Sequence, residues 1–198
     1  TLVKHHWHDE VEILYFSGGE FRLEINMEQF PIRSECFYFI NPGELHSIIT
    51  DTNDRCGEDA VVFSPGILSF DSCDAAQIRL IQPIQNGRMR FPRCILPSHP
   101  AFIPIQQAFR EILHSFTPRL PFPNTEDGNA ALCPAPSGAF DAIDGAVTED
   151  LTSQLFIKSA LLRILAVLSG QRLFTPTEKN HDKRVEDIKT ALSYIKDH

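Results

Sequence analysis

The sequence predicts a mainly β protein that ends in α-helices, and three observations support this fold class. Residues 1–63 contain short apolar runs, several with the period of two residues that is typical of β-strands. Gly and Pro separate these runs at regular intervals, as in small sandwiches and barrels. Beyond residue 98, the apolar residues recur instead at the spacing of amphipathic helices.

At least six strands are predicted between residues 11 and 63. Residues 11–16 are apolar on both faces apart from Glu12, as in a strand buried within a sandwich. Residues 21–25 alternate between apolar and polar side chains, which indicates a strand with one face in solvent. The other strands are predicted at residues 30–32, 36–40, 46–50 and 60–63, with turns at 27–29 and a polar loop at 51–59.

Residues 74–80 are predicted to form a helical turn, and residues 91–96, between two prolines, an edge strand. Ser98 can then cap a helix, because Pro100 is tolerated in a first turn. The apolar stripe of this helix extends over residues 105–116.

A second long helix is predicted at residues 151–168, with Thr148 as its cap and Gly170 at its end. It is apolar on more than one side, so one face is expected on the barrel. The proline-rich residues 117–147 precede it and are predicted to form a long loop.

The chain therefore divides into three regions. A β-sandwich or barrel covers residues 1–97, a helical region covers residues 98–170, and a linker with a final helix covers residues 171–198. The linker is placed at residues 175–182, and the final helix carries one apolar stripe without an obvious partner, consisting of Val185, Ile188, Leu192 and Ile195. The missing initiator Met and the ending at His198 predict a fragment of a longer protein.

Composition excludes several classes of function. A net charge of −8 without a basic run argues against nucleic-acid binding by this segment. We expect no signal peptide, and no apolar run is predicted to approach the roughly 20 residues that cross a bilayer. Five scattered cysteines without a CxxC pair predict reduced thiols in a cytoplasmic protein: Cys36, Cys56, Cys73, Cys94 and Cys133.

Three potential metal ligands, His6, His8 and Glu12, lie close together, and a fourth, His46, follows a Pro-Gly turn. Side chains two residues apart share a face of a β-strand, so His6 and His8 can point into the same space. In an unbroken strand, Glu10 would also turn inward beside Glu12, and burying two carboxylates together is costly. We therefore predict a bend around Glu10.

These residues carry a resemblance. The pattern HxHxxxExxxxxxG that starts at His6 resembles the first motif of the cupin family, and PGxxH from Pro42 is similar to a shortened second motif. In cupins these side chains converge in the mouth of a small jelly-roll barrel, the double-stranded β-helix. The resemblance thus implies a cupin barrel over residues 1–97, followed by helices that pack on it.

The order of later segments resembles the regulators of the AraC/XylS family. FSPxxL at residues 63–68, LIQPIQNG at 80–87 and FP at 91–92 are similar to stretches that follow the barrel in that family. The helix at residues 184–198 resembles the first helix of the family's DNA-binding domain. The resemblance implies an N-terminal sensor of a small molecule and a C-terminal pair of helix-turn-helix motifs, so DNA is contacted only through a domain missing from this segment.

Two interpretations of His6, His8, Glu12 and His46 stay open. They can form polar walls of an effector pocket together with Phe39, for a sugar or other neutral metabolite. Alternatively they hold one divalent transition metal, with Zn, Ni, Fe and Mn as candidates. Because sensor cupins of the AraC type usually work without a metal, we favour the interpretation without a cofactor.

Residues 151–168 present more apolar surface than one helix face can bury. They can form a core helix, but we expect them to build a homodimer that holds two DNA-binding domains at a fixed spacing. The residues assigned to this contact are Leu151, Leu155, Leu162 and Leu165.

The sequence thus predicts the effector-binding and dimerisation domain of an AraC-type regulator, which is not an enzyme and has no membrane partner. Effector binding would close the barrel mouth and shift how the DNA-binding domains are presented. The alternative is a metal-dependent cupin enzyme of the dioxygenase or isomerase type, and a third candidate is a carbohydrate-binding module. Neither alternative explains the linker and the amphipathic final helix.

Overall fold

The structure is a computed structural model that describes residues 3–50, 57–116, 150–177 and 183–197. The predicted loop at residues 117–147 and two of the cysteines, Cys56 and Cys133, lie outside the described residues. Within the described residues, two antiparallel β-sheets form two stacked layers, and helices cover the outer face of one of these sheets.

The strands follow one another in the order β1 (Val3–His6), β2 (Val11–Gly18), β3 (Phe21–Ile25), β4 (Glu28–Ile32), β5 (Cys36–Ile40), β6 (His46–Thr50), β7 (Gly57–Phe63), β8 (Met89–Arg90), β9 (Cys94–Ile95) and β10 (Thr175–Pro176). The first sheet has the order β1-β6-β3-β4 and the second has the order β7-β2-β5-β9. Strands β8 and β10 form a separate two-stranded ribbon. This arrangement confirms the predicted fold class, mainly β with helices after it.

The helical segments are a 3₁₀ turn (Pro65–Leu68), a π-helical turn (Gln77–Ile81) and the helices α1 (Gln82–Gln85), α2 (Phe102–Phe116), α3 (Leu151–Gly170) and α4 (Lys183–Asp197). Helix α3 packs along α2, and both lie against the second sheet. The helical turn predicted at residues 74–80 is therefore present and continues into α1.

Strand β2 separates two apolar cores. Leu14 and Phe16 point between the two sheets, where they join apolar side chains from β3, β4, β5 and β6. Ile13 and Tyr15 point to the opposite face and pack with the helices. The alternation of side chains along a strand explains why a run that is apolar throughout serves both cores.

Several boundaries differ from the sequence-based expectation. Strand β7 begins at Gly57 instead of residue 60, because Glu58 and Asp59 pair with Phe16 and Tyr15 of β2 despite their polarity. The edge strand predicted at residues 91–96 shortens to Cys94–Ile95. The turn between β3 and β4 lies at residues 26–27, both of which have positive φ angles, as in the tight turns of β-hairpins.

The N-terminal caps of both long helices differ from the predicted ones. Helix α2 starts at Phe102. Just before it, the imidazole of His99, and not the predicted Ser98, accepts a hydrogen bond from the backbone N–H of Ala101. Helix α3 is capped by Asp150, whose carboxylate accepts hydrogen bonds of 2.8 and 2.7 Å from the backbone and hydroxyl of Ser153. The expected cap at Thr148 is therefore wrong, because Asp150 is the residue next to the helix.

The four leucines that we assigned to a dimer contact divide between core and surface. Leu165 is only 2% exposed and packs in the core of its own chain, so it is not available to a partner. Leu162 is half-buried against the same core. Leu151 and Leu155 lie at the surface. The homodimer stays a prediction, and these two exposed residues are the ones that carry it.

Helix α3 also corrects the expectation about membranes. Its 20 residues are long and apolar enough to cross a bilayer by length and composition alone. This finding contradicts the prediction that no apolar run approaches that length. However, one face of α3 lies in the core against α2, and Arg163 in its middle pairs with Glu111 of α2. These contacts are those of a core helix in a globular domain.

Residues 175–177, which were predicted to belong to a linker, pair with the segment that contains β8. Thr175 and Pro176 pair with Arg90 and Met89, and the backbone N–H of Thr177 donates a 3.0 Å hydrogen bond to the carbonyl of Arg88. In α4, Val185 is buried, so the expectation of an apolar stripe without a partner is wrong at this residue.

Replacing Leu161 by Ala is expected to lower the free energy of unfolding by about 2–5 kcal/mol, because its side chain is 0% exposed and leaves a cavity between α2, α3 and the sheet. Leu155→Ala on the same helix is the matched control, since Leu155 is 59% exposed and its loss is expected to cost less than about 0.5 kcal/mol. Urea denaturation at low protein concentration measures both, and equal effects would contradict the assigned orientation of α3.

Candidate metal centre

The four predicted ligands come together at one end of the barrel. His6 ends β1 and lies directly opposite His46 at the start of β6, while Glu12 belongs to β2 in the other sheet. The chain bends between β1 and β2, which confirms the predicted break in the strand. This bend brings His8 toward the second sheet and leaves Glu10 in a partly exposed position.

One potential ligand atom from each of His6, His8, Glu12 and His46 lies within 4.8 Å of all the others. His46 and Glu12 are buried, whereas His6 and His8 are only half-buried. The cluster is therefore closed toward the barrel interior and open on the side of β1. A mononuclear metal site with room for an external ligand has this form.

The orientation of each imidazole is fixed by the backbone. Nδ1 of His6 lies 2.9 Å from the carbonyl of Lys4, and Nδ1 of His46 lies 2.9 Å from the carbonyl of Glu44. Nδ1 of His8 lies 3.2 Å from the carbonyl of Glu10. Because a carbonyl can only accept, each Nδ1 carries a hydrogen, and in the neutral form of the ring the electron pair is on Nε2. Backbone carbonyls hold metal-binding histidines in the same way.

The Nε2 atoms then meet a carboxylate. Oε2 of Glu12 lies 3.1 Å from Nε2 of His8 and 3.0 Å from Nε2 of His46. Nε2 of His46 is fully buried and, despite this short distance, makes no hydrogen bond of acceptable geometry. Electron pairs on nitrogen and on a carboxylate repel each other at this separation, so the cluster requires a positive charge, either a proton or a metal ion.

The electrostatics of the cluster agree with this requirement. Burial alone raises the pKa of Glu12, but the contacts with His46 and His8 outweigh it and lower this pKa to about 2. The hydrogen bond to Glu12 raises the pKa of His8, whereas burial lowers the pKa of His6. Three imidazoles and one anionic carboxylate are a donor set that fits a divalent transition metal. All four side chains already lie together in this structure.

A second buried carboxylate, which the sequence analysis missed, positions His46. The side chain of Glu44 is almost completely buried and accepts bonds of 2.7 and 2.6 Å from the two terminal nitrogens of Arg93. Arg90 approaches the same carboxylate at 3.3 Å, and the backbone N–H of Asn41 donates to it at 2.8 Å. Burial raises the pKa of Glu44, and Arg93 more than compensates and lowers it. This clamp fixes the carbonyl that holds the imidazole of His46.

Phe39 is not part of the site, so its assignment to the pocket is wrong. It is fully buried on the helix-covered face of β5, where its ring stacks on Phe91 with 5.7 Å between the centroids. Ile40 pairs with Glu12 across the strands and points with Tyr38 into the barrel interior. The sequence did not show which set of side chains in β5 faced inward.

The barrel interior below the four ligands is filled by apolar side chains, so a ligand at this site has to bind at the mouth. A separate cleft of about 310 Å³ lies beside the turn that precedes His46. Its wall contains neither a histidine nor Glu12 and consists of Asp9, Pro42, Ser64, Pro65, Gly66, Ile84, Gln85 and Gly87.

Comparison with known families agrees with this architecture. The family model of the AraC-like ligand binding domain matches residues 2–165, which include both sheets and most of α3. The chain belongs to this family. No curated protein matches the sequence. Membership in this family confirms the predicted resemblance to AraC-type regulators and supports a sensing domain of such a regulator.

Glu12→Gln is expected to flatten the acid limb of the stability curve in a protein stripped of metal with a chelator. A carboxylate with a folded pKa of about 2 and an unfolded pKa near 4.5 contributes stability above pH 4.5 that disappears as the pH falls toward 2. The slope of the wild type over this interval should exceed that of the variant by up to about 1.4 kcal/mol per pH unit.

Urea denaturation at several pH values between 2 and 5 measures these slopes. Glu28→Gln on strand β4 serves as the control, because Glu28 is exposed and this variant should follow the wild type. Parallel curves for wild type and Glu12→Gln would mean that the contacts of Glu12 with His8 and His46 do not stabilise the fold.

Proposed function

We propose that this chain is the effector-sensing domain of an AraC-type transcription regulator and that a divalent metal at His6, His8, Glu12 and His46 takes part in binding the effector. The observation that carries this proposal is the convergence of ligand atoms from His6, His8, Glu12 and His46 to within 4.8 Å of one another in a domain of the AraC-like ligand-binding family. It departs from our expectation of a sensor without a cofactor. Zn, Ni, Fe and Mn are the candidate ions.

Each ligand has a defined role in this proposal. His46 and Glu12 would hold the ion from the buried side, where the Glu44 clamp keeps the His46 ring in place. His6 and His8 would complete the set from the strand and bend near the surface. A bound metal supplies an electrophilic centre at which a hydroxyl or carbonyl oxygen of the effector can bind.

The effector in this proposal is uncharged and rich in oxygen atoms. A divalent cation and the anionic Glu12 together leave one net positive charge, which the oxygen atoms of a sugar, polyol or similar metabolite can approach. The acidic side chains of Asp9 and Glu10 flank His8 at the mouth and would repel a dianion.

In this proposal the effector changes the equilibrium between two states of the domain, and a helix-turn-helix domain outside residues 1–198 reads the DNA. An effector can shift such an equilibrium only by its difference in affinity for the two states. Homodimerisation through the exposed end of α3 would set the spacing between two DNA-binding domains.

The first experiment measures metal content and effector binding on the same samples. Elemental analysis of protein purified without chelators or a metal-binding tag should give about one transition-metal ion per chain. A His6→Ala, His46→Ala double variant should lose the ion. His5→Ala is the matched control, because His5 is the neighbouring histidine in β1 but hydrogen-bonds to Glu24 outside the cluster, and this variant should retain the metal.

A thermal-shift screen with neutral sugars and polyols then tests sensing. A ligand at 100 times its Kd should raise the Tm by roughly 5–10 °C in the wild type and in His5→Ala, and by much less in the double variant. A metal-free protein that still binds a ligand would refute the metal-dependent part of the proposal. Equal shifts in all three proteins would place the effector elsewhere, with the cleft beside Pro42 as the next site to test.

A metal-dependent cupin enzyme is the second candidate, because the complete set of three histidines and one glutamate is also a suitable centre for catalysis. The two functions differ in the fate of the ligand. Mass spectrometry of a ligand recovered from the metal-loaded protein, in air and without air, should show it unchanged if the domain is a sensor. Conversion of the ligand by the wild type but not by the double variant would establish the enzyme instead.

Leu155→Asp is expected to turn the proposed dimer into a monomer, because it places a charge on the exposed apolar end of α3. Met27→Asp in the turn between β3 and β4 is the control, since Met27 is similarly exposed but lies on the opposite sheet. Sedimentation velocity over a range of concentrations gives the masses. A wild type that is monomeric at all concentrations, or a Leu155→Asp variant that is still dimeric, would contradict this interface.

A further inference from the structure

Two cysteines that lie far apart in sequence meet on one face of the second sheet. Cys36 begins β5 and Cys94 begins β9, and Cys94 pairs directly with Tyr38 across the two strands. Cys36 and Tyr38 are two residues apart on the same face, so Cys36 is the diagonal neighbour of Cys94. The two thiols are near enough to shift each other's pKa, and Tyr38 also acts on the pKa of Cys94.

The two sulfur atoms differ in their access to solvent. Cys36 is only 3% exposed, whereas Cys94 is half-buried. Strand β9 has two residues and lies at the end of its sheet, where it pairs only with β5. A small solute can therefore reach Cys94 before it reaches Cys36.

We propose that Cys36 and Cys94 form a peroxide-responsive thiol pair in which Cys94 is oxidised first and Cys36 then closes a disulfide between β5 and β9. This modification site is independent of the metal centre. Cys36 pairs with Phe16 at the far end of β2, whereas the residue opposite Glu12 is Ile40 at the other end of β5.

The chemistry balances with a hydroperoxide as the oxidant. The Cys94 thiolate attacks the peroxide oxygen, an S–O bond forms, the O–O bond breaks, and hydroxide or an alkoxide leaves and takes up a proton. The Cys36 sulfur then attacks the Cys94 sulfenic acid, the S–S bond forms, the S–O bond breaks, and water leaves. Both thiols are oxidised together by two electrons, and the peroxide is reduced to water or to an alcohol and water.

The surroundings of the two thiols support this order of events. The neighbouring Cys36 lowers the pKa of Cys94, although burial acts in the opposite direction, and Tyr38 adds to the stabilisation of the thiolate. The same contact with Cys94, together with burial, raises the pKa of Cys36. Cys94 is thus the better nucleophile toward peroxide at neutral pH, and Cys36 remains a thiol until the sulfenic acid forms beside it.

The test uses a chain in which Cys56, Cys73 and Cys133 are replaced by Ser, so that only the pair remains. After reduction, removal of the reductant and treatment with a small excess of hydrogen peroxide, both thiols should become inaccessible to a thiol reagent in denaturant. The intact mass should fall by about 2 Da, because two hydrogens leave. Peptide mapping should give one cross-linked species that joins the segments containing Cys36 and Cys94.

Two further variants in the same background separate the roles of the two sulfurs. Cys36→Ser should accumulate a Cys94 sulfenic acid that dimedone traps, and Cys94→Ser should leave Cys36 at least about tenfold less reactive than Cys94. Oxidation of Cys94 to sulfinic acid with Cys36 still reduced, or disulfides only between chains, would overturn the proposal. If the chain with the three Ser substitutions folds poorly, peptide mapping of the peroxide-treated wild type shows equally well whether Cys36 and Cys94 are cross-linked.

Discussion

The double burial of strand β2 is the constraint on which both the core and the site depend. One side of this strand faces the barrel interior and the other faces α2 and α3, so a polar side chain on either side needs a partner within the protein. Glu12 is such a residue, and His8 and His46 are its partners. The barrel therefore closes around a carboxylate whose charge must be balanced, and the histidines have the orientation that this balance requires.

Hydrogen bonds to the backbone hold the histidine side chains of the cluster in one orientation. Backbone carbonyls hold the Nδ1 atoms of all three imidazoles, and the Glu44 clamp extends this support to the loop before β6. Donors that are held in place lose little conformational freedom when they bind an ion. A pocket for an organic ligand alone does not need this degree of orientation. In the proposed function, this support of the donors is what would allow the fold to combine sensing with a metal.

Spacing along the chain predicted the features that depend on local geometry. The strands, the bend before Glu12 and the convergence of three histidines with one carboxylate follow from side-chain alternation and from two motifs. Features that depend on distant pairing could not be predicted in this way. Glu44 and Arg93 are separated by 49 residues, and nothing in the sequence joins them. The orientation of Phe39 depended on which face of β5 the helices cover, and that choice is made by tertiary packing.

The ribbon of β8 and β10 connects the candidate metal centre to the segment that precedes α4. The chain leaves the barrel region through Thr175 and Thr177, which bond to the segment that carries Arg90, and Arg90 touches the carboxylate of Glu44. The carbonyl of Glu44 in turn holds the ring of His46. Each link is a direct contact, so a continuous path joins the ring of His46 to residues 175–177, the segment that precedes α4. A contiguous set of contacts of this kind is one physical route by which two distant parts of a domain can be coupled.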